Sequence, residues 1–386
     1  MSLTKTAVIP FFRPTIIHGE WDYLREIDSH PDLLREKEFS NKVLNILKEY
    51  LGREVFLTKS CTQALELSAV LCDIKPGDEV IMPSFGFVTC ANAFVANGAR
   101  MVFTDVKPDT MNIDEKLITN AITSRTRVIV TINYSGVGCE YDDIKKIAQK
   151  NNLLLVEDNA HGILAKYKGQ FLGTFGDASA FSFDHLKNIT CGQGGAISVN
   201  DKMPDKRLEY YYEFGTNKAE FMRGEAGNYE WKSRGSNFYL SEILSAFLYA
   251  QLLNAESIIS KFKSHWNGYI TRLKELEEKG LIQLPVVPPH CEHNAHNLFI
   301  KTRDLEERTS LMAFLKSQGI FATFHYVPLH SSEFGRQNGR FHGEDKHTTK
   351  ESERLLRLPL YYDLTIEDID RVCLSIFEFY RLTYRK

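Results

Sequence analysis

The stretch "SFDHLKNITCGQGG", residues 182–195, sets Lys187 between an apolar run, "ASAFSF", and a glycine-rich turn that leads into "AISV". A lysine amine is a poor nucleophile while protonated, and a site that lowers its pKa fits it for covalent chemistry. Upstream, Asp158 closes the run "LLLVED". Further upstream, "KSCTQAL" (59–65) puts Ser60, Cys61 and Thr62 at the start of a helical pattern. Free N–H groups and the helix dipole make such a start a natural site for an anion. Each feature also has an ordinary reading: Ser60 as an N-cap, Asp158 as the cap of a turn, Lys187 as a solvated charge. Together, an anion cradle, a strand-end carboxylate and a lysine beside a glycine-rich turn are what pyridoxal phosphate requires. The cradle holds its phosphate, the carboxylate keeps its ring nitrogen protonated, and the amine bonds its aldehyde.

The elements that must position these groups are an alternation of strands and helices. "EVIMPS" (79–84), "ARMVFTDV" (99–106), "TRVIVTINY" (126–134), "NLLLVEDN" (152–159) and "GAISVN" (195–200) have strand character. "CTQALELSAVLC" (61–72), "FVTCANAFVANG" (87–98), "IDEKLITNAI" (113–122) and "EYDDIKKIAQKNN" (140–152) have helical spacing. Such alternation predicts an α/β fold with a mostly parallel sheet covered by helices on both faces. Ligands of such sheets bind beyond the carboxyl ends of the strands, where Asp158 and Lys187 fall. After about residue 250 the texture changes. A long helix is expected over 252–280, then a strand "NLFIKT", a helix "RTSLMAFLKSQG", a strand "IFATFHYV" (320–327) and a final helix over 367–386. The expected division is a large domain over 1–255 and a smaller C-terminal α/β domain over 256–386.

Composition narrows the class. With a formal net charge of −3, the chain gives no electrostatic reason to expect nucleic acid or an anionic membrane as partner. No apolar run approaches the length of a membrane span, and "MSLTKTAVIPFFRP" lacks a signal-peptide apolar region. Seven scattered cysteines, never spaced C-x-x-C, read as the reduced thiols of a cytoplasmic protein.

The motifs resemble those of the DegT/DnrJ/EryC1/StrS family, the fold-type I pyridoxal-phosphate enzymes that aminate nucleotide-linked sugars. The likeness runs from "IPFFRP" to "ERLLRLPLYYDLT" through "SCTQALELSAVLCDIKPGDEVIMPSFGFV", "VEDNAHG", "FSFDHLKN", "GSNFYLSEILSAF" and "HYVPLH". Within the family it resembles most the transaminases that make dTDP-4-amino-4,6-dideoxygalactose, through "DIKPGDEVIMPSFGFV", "DVKPDTMNID" and "FHGEDKHTTKESERLLRLPL". Cys72 departs from a leucine in that pattern.

The resemblance implies an aspartate-aminotransferase-like fold and a role for each matching position. Lys187 matches the lysine that bonds the cofactor, and Asp158 matches the partner of its ring nitrogen. Ser182, Cys61 and Thr62 match the phosphate site, Cys61 through its backbone N–H. His161 matches a position near the ring hydroxyl. Phe87 matches an aromatic that stacks on the ring, with plain core packing as the alternative. Asn237 matches a residue reaching the phosphate from a neighbouring subunit, which implies a homodimer with shared active sites. His325, Tyr326 and His330 are candidates for the sugar or nucleotide, and Tyr229, Trp231 and Arg234 for its diphosphate. Two positions depart from the family pattern: Asp184 replaces a histidine, and Gln193 replaces the glutamate of "GEGG". Gln193 keeps the length of Glu, which leans towards amination at C4.

The implied reaction is transfer of the amino group of L-glutamate to a nucleotide-linked 4-keto-6-deoxyhexose. A 3-amino-transferring enzyme and a sugar dehydratase on the same scaffold are the alternatives, and Lys187 argues against the dehydratase. A non-catalytic sensor would need an added interaction module, which the chain does not show. "HCEHNAH" (290–296) has the residue types of a metal tract, but it leads into a strand, and no metal is expected there.

Overall fold

The computed structural model describes residues 8–201, 203 and 205–383. Eight strands form the central sheet: β1 (Glu54–Thr58), β2 (Glu79–Pro83), β3 (Arg100–Thr104), β4 (Thr126–Ile132), β5 (Leu154–Asp158), β6 (Ala178–Ser182), β7 (Gly195–Val199) and β8 (Gly339–Phe341). Their order is β1-β7-β6-β5-β4-β2-β3-β8. Strand β7 runs antiparallel to β1 and β6, and every pair from β6 to β8 is parallel. This is the mixed, mostly parallel sheet of a fold-type I α/β protein.

Both faces of the sheet are buried, which explains why its strands read as near-continuous apolar runs. Side chains alternate between the faces. Val80, Met82, Val128, Val130 and Val156 meet helices Cys61–Leu71 and Val88–Val95. Ile81, Val102, Ile129 and Leu155 meet helices Glu115–Ala121 and Tyr141–Lys150.

The C-terminal layer pairs strands Phe299–Lys301 and Leu355–Arg357 antiparallel, with helices Leu305–Ser317 and Ile366–Phe379 packed on them. Its apolar core is continuous with that of helix Glu38–Leu51 through Ile258, Phe262 and Tyr269 of helix Ala255–Glu278. The chain after this helix turns at Gly280, whose φ of +70 a β-carbon would strain. No single described helix is long and apolar enough to cross a membrane; Glu242–Leu253 and Ala255–Glu278 together would be, but they bend by 65°.

Three expectations differ from what is observed. The run 320–327 is not a strand; it is extended chain with bridges only at Ile320 and Thr323. His325 and Tyr326 line a cavity instead of pairing in a sheet, while Phe321 and Phe324 are exposed. The expected helix over 252–280 is observed as Ala255–Glu278, starting later because residues 252 and 253 end a preceding helix, Glu242–Leu253, that breaks at Asn254. The final helix ends at Phe379, and residues 384–386 lie outside the described residues.

Candidate active site

The site follows from the register at the carboxyl edge of the sheet. Because β7 returns antiparallel beside β6, its first residue, Gly195, pairs with both Ser182, the last of β6, and Thr58, the last of β1. The connection 183–194 therefore sits over that edge and carries Lys187. It is closed on itself by Phe183 N–H to Gly194 O (2.9 Å), His185 N–H to Gly192 O (2.9 Å) and Cys191 N–H to Phe183 O (3.0 Å). Asp158 ends β5 at the same edge, level with Ala180 of β6. After β1 the chain enters helix Cys61–Leu71.

Ser60 is the N-cap of that helix, and its Oγ accepts from Gln63 N–H (3.2 Å). The ordinary N-cap reading of Ser60 is thus observed. The N–H groups of Cys61 and Thr62 have no acceptor among the described residues. These two donors and the hydroxyls of Thr62 and Ser182 suit a phosphate ester. A β-carbon on Gly195 would come within 2.4 Å of Ser60 C and 2.5 Å of Cys61 N, so only glycine lets β7 pass beneath the helix start.

A cavity of about 790 Å³ opens here. It is lined by Cys61, Thr62, Phe87, Asp158, His161 and Ser182, and also by Lys187, His325 and Tyr326. Nine sequence-predicted residues therefore converge. Five do not line it. His330 bonds Ser84 Oγ through Nδ1 (2.7 Å) and faces Asp345 through Nε2 (3.2 Å). Tyr229, Trp231, Arg234 and Asn237 lie on an exposed excursion that is fastened by bridges Glu213–Asn237 and Thr216–Trp231.

The electrostatics are those of a reactive centre. Lys187 is half-buried and its Nζ has no hydrogen-bond or ion-pair partner among the described residues. Burial lowers its pKa, against the opposing pull of Cys61, Asp158 and Asp184. Burial raises the Asp158 carboxyl, which Ala160 N–H (3.1 Å), Lys187 and the Cys90 thiol hold back. Burial also drives the Cys61 thiol well above its usual range, so it stays neutral and offers its N–H, not a charge. Asp184 organises the turn that presents the lysine: its Oδ1 accepts from Leu186 N–H (3.0 Å), and its carbonyl accepts from Lys187 N–H (2.9 Å). Gln193 and His185 also line the cavity.

Neutral imidazoles form one wall. His161 Nδ1 accepts from Ser135 N–H (3.2 Å), and its ring stacks 4.1 Å from that of His296. Asn188 Oδ1 lies 2.8 Å from His296 Nδ1, which fixes the proton on that nitrogen. Tyr134 OH lies 2.8 Å from His325 Nδ1. The metal-like tract disperses: His290 faces Glu140, His293 packs on Trp266, and His296 turns to the cavity. Arg357 is a cavity residue that sequence reasoning did not name, and His296 was read only as part of the metal-like tract. Their one signal is a charged or polar side chain inside an otherwise apolar strand or strand entry, "LLRLPL" and "HNLFI".

Burial depresses His161, His296 and His325 well below the usual imidazole value and brings His293 to about 4. All four bind protons more readily in the unfolded chain. Their contribution to stability is complete above pH 6.5 and is lost as pH falls from there through the depressed values, at up to about 1.4 kcal/mol per pH unit for each group. The melting temperature is expected to drop between pH 7 and 5, and less steeply in His293→Gln. Equal slopes for the two proteins would contradict this.

The comparisons agree with the geometry. The family model described as the DegT/DnrJ/EryC1/StrS aminotransferase family matches residues 18–377. The uncharacterized protein MJ1066 of Methanocaldococcus jannaschii is 32% identical over 376 residues, covering 95% of this chain and 96% of the relative. The aminotransferase TlmJ of Streptoalloteichus hindustanus superposes with a TM-score of 0.88 at 25% identity, over 97% of this chain and 99% of that one. Spr1654 of Streptococcus pneumoniae, a putative sugar aminotransferase solved in its PLP form, shares the fold with a TM-score of 0.84 at 23% identity, over 97% and 98% of the two chains. A matched segment that spans nearly the whole chain, with lysine, carboxylate and helix start gathered at one cavity, makes this protein a member of the DegT/DnrJ/EryC1/StrS aminotransferase family.

Proposed function

We propose that this protein moves the amino group of L-glutamate to C4 of a dTDP-linked 4-keto-6-deoxyhexose, giving a 4-amino-4,6-dideoxy sugar nucleotide, with pyridoxal 5′-phosphate as cofactor. The observation that carries the reading is the convergence of Lys187, Asp158 and the start of helix Cys61–Leu71 on one cavity. The free N–H groups of Cys61 and Thr62, with Ser182, would hold the phosphate. When bound, the cofactor supplies an aldehyde that carries nitrogen between donor and acceptor, and a ring that takes up the electron pair released at the substrate carbon.

The protein's own groups do the rest. Asp158 would hold a proton at the ring nitrogen, and this would give its buried carboxylate the cationic partner that burial demands. Lys187, with its pKa lowered, offers a neutral amine as nucleophile; once free, its Nζ takes a proton from the donor's α-carbon and returns one on the other side. His161 reaches Tyr326 OH at 3.4 Å and would border the cofactor ring, and Phe87, exposed at the mouth, would stack on it. The closed loop 183–194 keeps the amine over the sheet edge. The exposed excursion bearing Asn237, Tyr229, Trp231 and Arg234 would, in a homodimer, reach the other subunit's site. Gln193, with the length of glutamate, supports the C4 assignment over C3.

The test supplies L-glutamate with either a 4-keto or a 3-keto dTDP-6-deoxyhexose and locates the new amine by NMR. An amine at C4 is expected. An amine at C3, or loss of a hydroxyl with no amine gained, would overturn the reading.

A further inference from the structure

His330 stands outside the cavity, yet its anchors lead back to it. Ser84 follows the last residue of β2 and is fully buried. Its Oγ accepts from His330 N–H (3.1 Å) and lies 2.7 Å from Nδ1 of the same residue, 246 positions away in sequence. On the far side of the ring, Nε2 lies 3.2 Å from Asp345 Oδ2. A carboxylate only accepts, so the ring proton sits on Nε2, and Nδ1 accepts from the serine hydroxyl. Burial lowers the His330 pKa against the pull of Asp345 and Asp105, which keeps Nδ1 free to accept near neutral pH.

This chain of three is fixed at each end. Ser84 N–H bonds Thr104 O (3.1 Å) and Ser84 O accepts from Leu329 N–H (2.8 Å), which ties the end of β2 to β3 and to the turn 329–331. Asp345 accepts from Thr349 N–H (3.1 Å), and Asp105, just past β3, accepts from the N–H groups of Lys346 (3.0 Å) and Thr348 (2.7 Å). The His330 ring packs on that of Phe341 in β8 at 4.4 Å. What His330 fastens together are two stretches of the cavity wall. Just past Ser84 come Phe85 and Phe87, and just before His330 come His325 and Tyr326. Tyr326 meets the Phe85 ring at 5.2 Å and the Phe87 ring at 6.2 Å, and Phe87, His325 and Tyr326 line the cavity. Gly86 lets the first stretch press against the end of β4, since a β-carbon there would fall 2.3 Å from Ile132 Cδ1.

We propose that His330 is a positioning residue: clasped between Ser84 and Asp345, it sets the spacing between Phe87 and the wall made by His325 and Tyr326, and with it the seating of the cofactor ring. This rests on the aminotransferase reading above. A ring seated out of place presents its reacting carbon badly to Lys187, and a misplacement of about 1 Å costs on the order of 10²-fold in rate.

The cofactor-loaded protein is compared with its His330→Phe, His330→Asn and Ser84→Ala variants and with the double variant Ser84→Ala/His330→Phe. The readouts are visible circular dichroism of the bound cofactor, single-turnover reaction with L-glutamate, and melting temperature. Phenylalanine keeps the packing on Phe341 and removes both ring nitrogens, whereas asparagine puts an amide oxygen where Nδ1 stood. His330→Phe is expected to alter the dichroism and to slow the saturated half-reaction about 10- to 100-fold, with little change in the glutamate concentration at half saturation. His330→Asn is expected to recover the wild-type dichroism and most of the rate. Ser84→Ala should resemble His330→Phe, and the double variant should be no worse than either, because the two residues act as one unit. Wild-type dichroism and rate in a folded His330→Phe would overturn the inference. So would a lowered melting temperature with both unchanged, the mark of a merely structural clasp. A wild type that takes no nitrogen from glutamate would sink the aminotransferase reading by itself, and the dichroism would still decide the clasp.

Discussion

Lys187→Ala is expected to lose amino transfer by at least about 10³-fold, the scale set by removing the acid–base group together with the nucleophile. No neighbour can take over. His161, His296 and His325 are held neutral, but none is an amine able to bond an aldehyde, and the Cys61 thiol is kept protonated by burial. The substitution should leave folding intact. The loop 183–194 is closed by backbone hydrogen bonds, and the lysine Nζ contributes none among the described residues. Removing an unpartnered, half-buried amine also removes a desolvation cost, so the melting temperature is expected to hold or rise. Single-turnover reaction with L-glutamate is the readout, and a rate within tenfold of wild type would contradict the assignment.

Asp158→Asn has the second largest expected effect. The amide keeps the volume at the end of β5 and an oxygen to accept from Ala160 N–H, so the fold should persist. The negative charge is lost, and with it the partner of a protonated ring nitrogen. Deleting one member of a buried charge pair costs roughly 3–5 kcal/mol, which corresponds to a fall of about 10²–10⁴-fold in the donor half-reaction. The phosphate contacts at the helix start are untouched, so the variant should still retain cofactor. Loss of cofactor with normal chemistry after reloading would mean that Asp158 serves binding and not electron uptake.

Much of this was legible in the sequence because both faces of the sheet are buried. Runs such as "EVIMP" and "TRVIVTI" then carry the strand signal without ambiguity, and the strand ends place Asp158 and Ser182 on one edge. The run "IFATFHYV" shows the limit. Its aromatic and β-branched content looks like a strand, but His325 and Tyr326 are aromatic because they serve the cavity wall and the ring cluster with Phe85 and Tyr134. Strand β8 was not legible at all: "GRF" has three residues, and its pairing with β3 is made by tertiary contact. Arg357 was hidden for a related reason. It lies in the quoted "ERLLRLPL", but only the extended run and Phe11, both distant in sequence, show that its fork faces the site. His330 misled in the opposite sense, since it shares the "HYVPLH" segment with His325 and Tyr326 yet turns away to Ser84 and Asp345.

The most direct test is to reduce the purified, cofactor-loaded protein with borohydride, which fixes the bond between a lysine amine and an aldehyde, and to map the modified peptide. The account predicts one cofactor mass, on the peptide that contains Lys187. A label on any other lysine, or no label on a protein saturated with pyridoxal phosphate, would contradict it.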